Sequence, residues 1–267
     1  MNIIVAIKQV PETSNVKMDP VTGTMIREGV ESIINPLDLY AIEAANQLKE
    51  AHGGKVTVVS MGPLNAEKAL KEAIAMGCDE AVLISDRAFA GADTWSTSYV
   101  LAKAIENLGD FDLILCGERA TDGDTGQVGP NIAAAMDVPL ATYVSGIESA
   151  DPNAREMLVW RMTEYGYEKL QLPMPALLTV VKEISFPRLP TLRGKQRARA
   201  AEIKVYNSTN LEVEKDKIGL KGSPTRVIKI ETPKVTRGGT ILKPADEKDL
   251  DDAVNQLVDF LKAKEII

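Results

Sequence analysis

Gly117-Glu118-Arg119-Ala120-Thr121-Asp122-Gly123-Asp124-Thr125-Gly126-Gln127-Val128-Gly129-Pro130 separates an apolar run, Phe111 to Cys116, from an Ala-rich run, Asn131 to Met136. The first run reads as a buried parallel strand and the second as a helix. A loop of glycines and small hydroxyls between a strand end and a helix start presents backbone N–H groups at a partly positive terminus, which suits a phosphate. In open α/β sheets ligands lie outside the carboxyl ends of the strands, where this loop falls. The stretch therefore reads as a nucleotide or flavin loop and fixes the fold class as α/β.

The flanking sequence extends that pattern. Ile3 to Ile7, Lys55 to Met61 and Ala81 to Ile84 read as three further strands. Helices are expected after Asn35-Pro36, over Asn65 to Met76 and over Thr94 to Leu108, with Asn35 as N-cap and Pro36 as first helical residue. A polar, turn-rich stretch around Asp19-Pro20 and Thr22-Gly23 precedes the first of them. Strands alternating with helices of this length mean a mostly parallel, doubly wound sheet. The strand-like runs Leu140 to Gly146, Met157 to Met162, Tyr167 to Leu172 and Ala176 to Val181 are separated by short turns and read as hairpins added to the sheet edge.

Residues 1–206 are expected to form one α/β nucleotide- or flavin-binding domain. Residues 207–267 read as an arm: Asn207 to Lys243 is polar and aperiodic, and Asp246 to Lys264 has Leu250, Ala253, Val254, Leu257, Val258 and Leu261 at helical spacing. A partner subunit or the chain's own domain could cover that stripe.

Composition excludes several functions. A net charge of −7 over 267 residues gives no overall positive field to attract nucleic acid, and 4% aromatics supply no base-stacking platform. No apolar run approaches membrane-spanning length, and Met1 to Lys8 is too short before Pro11-Glu12 to be a secretory signal, so a cytoplasmic location is expected. Cys78 and Cys116 sit beside apolar runs and read as buried thiols, and the lone His52 reads as a helix-end surface residue. The chain lacks the parts for a zinc site or a Ser-His-Asp triad.

The loop lacks a Walker A lysine, and Ala6-Ile7-Lys8-Gln9-Val10-Pro11 stands where a GxGxxG would follow the first strand. Donors are expected instead from the N–H groups of Gly123, Thr125, Gly126 and Gln127 and the hydroxyls of Thr121 and Thr125. Arg119 can make a forked contact with phosphate. Asp122 and Asp124 repel phosphate and are expected to accept from ribose hydroxyls or to shape the turn. Ala6 to Lys8, Asn35-Pro36-Leu37-Asp38 and Met61-Gly62-Pro63 converge on the same sheet edge if the sheet is parallel, and form a second wall.

With these residues assembled, the chain resembles the β (small) subunit of electron-transfer flavoproteins over nearly its whole length. The resemblance rests on Val5 to Pro11, Ile34-Asn35-Pro36 with Asp38, Ser60 to Pro63, Ala73 to Asp79 and the 117–130 loop. It implies an adenine-nucleotide-binding (Rossmann-like) fold, a heterodimer with a larger α subunit carrying FAD, and a C-terminal arm that packs on that subunit. It also implies that Ala6, Lys8, Asn35 to Asp38, Met61, Gly62 and Gly117 to Val128 hold FAD, or AMP in the other branch of the family. The reading Asp122-Gly123-Asp124-Thr125-Gly126-Gln127 resembles the FAD branch, in which NADH feeds electron bifurcation to ferredoxin or flavodoxin and to a flavin dehydrogenase of acyl-CoA or hydroxyacid type. Phe186 to Arg199 resembles the family's partner-docking loop, with Leu192 as apolar anchor and Arg188, Arg193 and Lys195 among its basic residues. A stand-alone adenine-nucleotide-binding regulator shares the architecture, but has no use for the arm or this basic segment.

Overall fold

The computed structural model describes residues 1–12, 31–228 and 239–267. They form two units, Met1–Ile228 and Lys229–Ile267. The turn-rich stretch expected around residues 19–23 lies outside the described residues.

The first unit is built on a nine-stranded sheet. In chain order its strands are β1 (Asn2–Ala6), β4 (Lys55–Met61), β5 (Glu80–Ile84), β6 (Leu113–Gly117), β7 (Leu140–Asp151), β8 (Glu156–Thr163), β9 (Gly166–Pro173), β10 (Ala176–Val180) and β11 (Lys204–Tyr206). A separate two-stranded ribbon pairs β2 (Gln9–Pro11) with β3 (Ser32–Ile34). The order across the sheet is β11-β5-β4-β1-β6-β10-β7-β8-β9. Every pairing from β11 to β7 is parallel, and β8 and β9 continue it antiparallel. The chain steps outward from β1 to β4 and β5, then crosses back to β6 on the far side of β1. Strand order therefore reverses between β1 and β6, which opens a crevice at their carboxyl ends.

Alternation along the strands builds two cores. Ile3, Val5, Leu113 and Leu115 face helices α1 (Asp38–His52), α2 (Glu67–Met76) and α5 (Leu192–Ala200). Ile4, Ala6, Ile114 and Cys116 face α3 (Thr94–Glu106) and α4 (Val128–Met136). These strands are apolar on both faces because helices cover both.

Three expectations change. β10 is not part of an edge hairpin: it lies between β6 and β7 and runs parallel to both. A short apolar run carries no mark of its neighbour, and Ala176 to Val180 is buried throughout because it is central. The helix expected from residue 131 begins at Val128. The compact unit also runs past residue 206 to Ile228, with Leu211 and Ile218 buried in the second core beside a short helix, α6 (Gly219–Gly222). In the second unit α7 (Glu247–Ala263) starts at Asp246, whose side chain accepts from the Asp249 N–H. Leu250, Val254 and Leu257 on its stripe are exposed.

At the end of β6, Gly117 meets the start of α1. A Cβ there would sit 2.5 Å from Asp38 Oδ1 and 2.8 Å from the Leu37 carbonyl carbon. Gly117→Ala is expected to lower stability by about 1–3 kcal/mol, because backbone on one side leaves no rotamer that relieves the overlap. At Gly123 a Cβ would meet nothing, so Gly123→Ala is expected to stay within about 0.5 kcal/mol of the parent. Thermal unfolding of the two variants checks the contrast.

Candidate functional site

Two buried side chains from the segment opening α1 hold the ends of β1 and β6. The Asn35 carboxamide donates to the Arg119 carbonyl at 2.9 Å and accepts from the Thr121 N–H at 3.1 Å. Its backbone N–H donates to the Lys8 carbonyl at 2.8 Å. Asp38 Oδ2 accepts from the Lys8 N–H at 2.7 Å, and Oδ1 from the Gly117 N–H at 3.1 Å. Asn35 is therefore not the side-chain cap of α1. The helix begins at Asp38 with no side-chain cap bond, and the carboxamide serves the loop instead. Pro36 and Leu37 form the turn between the two clamping residues.

Burial pushes the Asp38 carboxyl up to about 7, against its hydrogen bonds from Lys8, Asn35 and Gly117 and the charge of Lys8. Burial likewise pushes the Cys78 thiol up to about 12 and raises that of Cys116. Both cysteines are free and buried, as expected of thiols beside apolar runs.

The loop itself is a turn closed on the Ala120 carbonyl, which accepts from the Asp124 N–H at 2.8 Å and the Gly123 N–H at 3.3 Å. Gly123 thus spends the donor expected of it. Asp124 and Gly126 take positive φ, 54° and 62°, which turns the chain toward α4. The N–H groups of Thr125, Gly126 and Gln127 find no acceptor among the described residues, and Val128 and Gly129 open a helix whose first donors have no intrahelical partner. Thr94 Oγ1, at the start of α3, donates to Gln127 Oε1 at 2.9 Å.

The charged residues of the loop are paired with one another. Lys8 Nζ lies 2.6 Å from Asp122 Oδ1, and Arg119 Nη1 lies 3.0 Å from Asp124 Oδ1. Glu118 Oε1 stands 3.5 Å from Arg119 Nε. Arg119 does not present a free fork, and the two aspartates hold cations. Met61 ends β4, and the Gly62 N–H ties that end to the Ile84 carbonyl at 3.0 Å. Ala6 is buried at the end of β1, between Val59 and Cys116. The set expected from sequence lies at one edge, but hydrogen bonds link only the Lys8, Asn35, Asp38 and loop residues.

Three participants were missed. Thr94 was legible, since a helix joining two parallel strands must begin at the carboxyl edge. The Ser60 hydroxyl is buried near the end of β4 without a hydrogen-bond partner among the described residues. Tyr143, at φ 55°, brings its hydroxyl to 4.0 Å from the position of a Gly126 Cβ. Ser60 opens the Ser60 to Pro63 stretch that carries the resemblance, though no role was read for it, and nothing in the sequence signals Tyr143.

The docking segment differs from a simple basic loop. Residues from Leu192 form α5, capped by Thr191, whose side chain accepts from the Gly194 N–H at 2.9 Å. Arg188 is tied down: Nε bonds Glu43 Oε2 at 2.7 Å, Nη2 bonds Glu43 Oε1 at 2.9 Å, and Nη1 reaches Glu50. Arg197 donates to the Ile74 and Cys78 carbonyls and closes the end of α2. Arg193 and Lys195 remain exposed, and Phe186, Leu189 and Leu192 are each more than four-fifths exposed.

A doubly wound sheet with a Gly-rich loop of unspent N–H donors at its topological switch point defines an α/β protein of the class that binds ligands outside the carboxyl ends of its strands. The model of the electron transfer flavoprotein domain matches residues 22–211. The chain is 49% identical over 268 residues, covering all of both chains, to "Electron transfer flavoprotein subunit beta" of Thermoanaerobacterium thermosaccharolyticum. It is 44% identical, again over all of both chains, to "Caffeyl-CoA reductase-Etf complex subunit CarD" of Acetobacterium woodii. It is 42% identical, over 97% of this chain and 98% of the other, to "Acryloyl-CoA reductase electron transfer subunit gamma" of Anaerotignum propionicum. The chain belongs to the electron transfer flavoprotein family, on the side of its β (small) subunits. Among the described residues, no helix is long and apolar enough to cross a membrane.

Asp38 makes stability depend on pH. Its carboxyl, raised from 3.8 to about 7, binds a proton more tightly folded than unfolded. The protein without cofactor is therefore expected to lose stability as pH rises from about 4 to about 7, by up to about 4 kcal/mol at 1.36 kcal/mol per unit. Asp38→Asn removes this slope. Unfolding of both proteins between pH 5 and 8 checks it: the parent should weaken relative to the variant as pH rises.

Proposed function

We propose that this edge holds FAD and that the chain is the small subunit of a heterodimeric, electron-bifurcating electron-transfer flavoprotein. The observation that carries the cofactor reading is the row of unspent N–H donors at Thr125, Gly126 and Gln127, beside open space at Gly123. The orphaned Ser60 hydroxyl at the same end of the sheet also suits a polar ligand.

A flavin bound here would accept hydride from NADH and release the electrons singly, to ferredoxin or flavodoxin and, through the FAD of the α subunit, to a partner dehydrogenase or reductase. The residues of this chain bind and orient. Asn35 and Asp38 hold the strand ends so that the free N–H groups of the loop converge. Thr94 fixes the Gln127 side chain at the start of α4. The loop N–H dipoles, fixed in place by the fold, would meet a phosphate without first having to reorient.

The relatives named as reductase subunits support a reductase or dehydrogenase as terminal partner. Phe186, Leu189 and Leu192, an exposed apolar set beside Arg193 and Lys195, suit docking to such a partner. The exposed stripe of α7, with Leu250, Val254 and Leu257, suits packing on an α subunit. Arg188 is already tied to Glu43 and Glu50, so the proposed docking set rests on the residues that stay in solvent.

The test is the acid-released cofactor of the chain co-purified with its α subunit. Two FAD and no AMP per heterodimer is expected. One FAD with one AMP would refute the bifurcating reading and leave a single-electron shuttle with AMP at this edge.

A further inference from the structure

The loop at the proposed cofactor edge offers an anion two kinds of donor, and only one kind is free. The backbone N–H groups of Thr125, Gly126 and Gln127 have no acceptor among the described residues. The two cations are engaged: Lys8 by Asp122 at 2.6 Å and Arg119 by Asp124 at 3.0 Å. Glu118 stands close to Arg119 as well, so three carboxylates face two cations. The Asp122 side chain is the more covered partner of its pair, at 17% exposure against 47% for Lys8, which keeps that carboxylate directed at the ammonium.

This arrangement fixes how much negative charge the edge can take. Neutral N–H dipoles and the start of α4 favour a phosphate whatever its further groups. Each additional phosphate charge then meets carboxylates whose counter-ions are already used, and the repulsion rises with ligand charge. A phosphate monoester, or a pyrophosphate diester of the kind found in a dinucleotide, carries about two negative charges at neutral pH. A nucleoside diphosphate or triphosphate carries more.

We infer that Asp122 and Asp124 are selectivity residues: by neutralising Lys8 and Arg119 they leave backbone N–H groups as the anion donors, so that the edge accepts nucleotides with about two phosphate charges and rejects those with more. The inference rests on the reading of this edge as a nucleotide-cofactor site. It explains why a loop that binds phosphate carries two aspartates, and it assigns them to discrimination rather than to ribose contacts. Exposed ion pairs of this kind are individually weak, so the two pairs can rearrange around a bound ligand without barring it.

The test uses the heterodimer stripped of nucleotide from this edge, titrated calorimetrically with AMP, ADP and ATP in metal-free buffer. The parent is expected to bind AMP most tightly, with the dissociation constant rising at least about fivefold for each added phosphate. In Asp122→Asn/Asp124→Asn the series should flatten to within about twofold, chiefly through tighter ATP binding. Asp124→Asn alone, at a side chain that is 65% exposed, should give an intermediate slope and guards against a folding defect in the double variant. ATP binding the parent as tightly as AMP, or an unchanged slope in both variants, overturns the inference. If FAD binds the stripped parent but none of the three adenine nucleotides does, the inference is overturned while the cofactor reading stands; if FAD does not bind either, the cofactor reading of the edge itself fails, and with it the assignment of these aspartates.

Discussion

A buried amide and a buried carboxylate, three residues apart, hold two strand ends and a loop in register. Asn35 and Asp38 together take up backbone groups of Lys8, Gly117, Arg119 and Thr121. Backbone polar groups at this depth must be paired, and no other side chain among the described residues pairs them. The parallel sheet brings β1 and β6 side by side, but it does not fix what happens beyond their last residues. Gly117 lets α1 come close enough for the clamp to reach, because any Cβ would overlap Asp38. The carboxylate is held at a cost, since burial drives its proton affinity far above the ordinary value.

The clamp has a consequence for the loop. With Thr121 and the Ala120 carbonyl occupied, the following residues turn outward and present consecutive N–H groups that nothing else in the described chain uses. The cations nearby are compensated locally, so attraction for a phosphate resides in dipoles rather than in net charge. On the proposed reading, that division would let an acidic protein receive phosphate at an edge of dipoles rather than of net positive charge. In the basic segment after β10 the cations divide in a similar way. Arg188 and Arg197 are engaged in holding the segment to α1 and α2, while Arg193, Lys195 and Arg199 stay in solvent on the segment that carries the exposed Phe186, Leu189 and Leu192.

Most of the architecture was legible in sequence because apolar runs such as Ile3 to Ile7 and Lys55 to Met61 alternate with helical periods, and that alternation admits a parallel sheet and little else. The loop was legible because its glycines sit between a strand and a helix. What failed were inferences from local rules where distant partners decided the outcome. Asn35 has the look of an N-cap, yet its carboxamide bonds residues 84 and 86 positions away. Arg188 was expected among the basic residues of a docking loop, yet it is bonded to Glu43, 145 positions upstream. β10 looked like the end of a series of hairpins, and only the whole sheet shows that it belongs beside β6. Sequence periodicity reports which face of a segment is buried, not what buries it.

The most direct measurement is a crystal structure of the heterodimer with a nucleotide cofactor bound to this chain. Phosphate oxygens should lie within hydrogen-bond distance of the Thr125, Gly126 and Gln127 N–H groups, with Asn35 still bonded to Arg119 and Thr121 and Asp38 to Lys8 and Gly117. Phosphate bound elsewhere on the chain, or an Asn35 carboxamide turned onto the ligand with the loop backbone released, would contradict the view that these two residues build the site from behind.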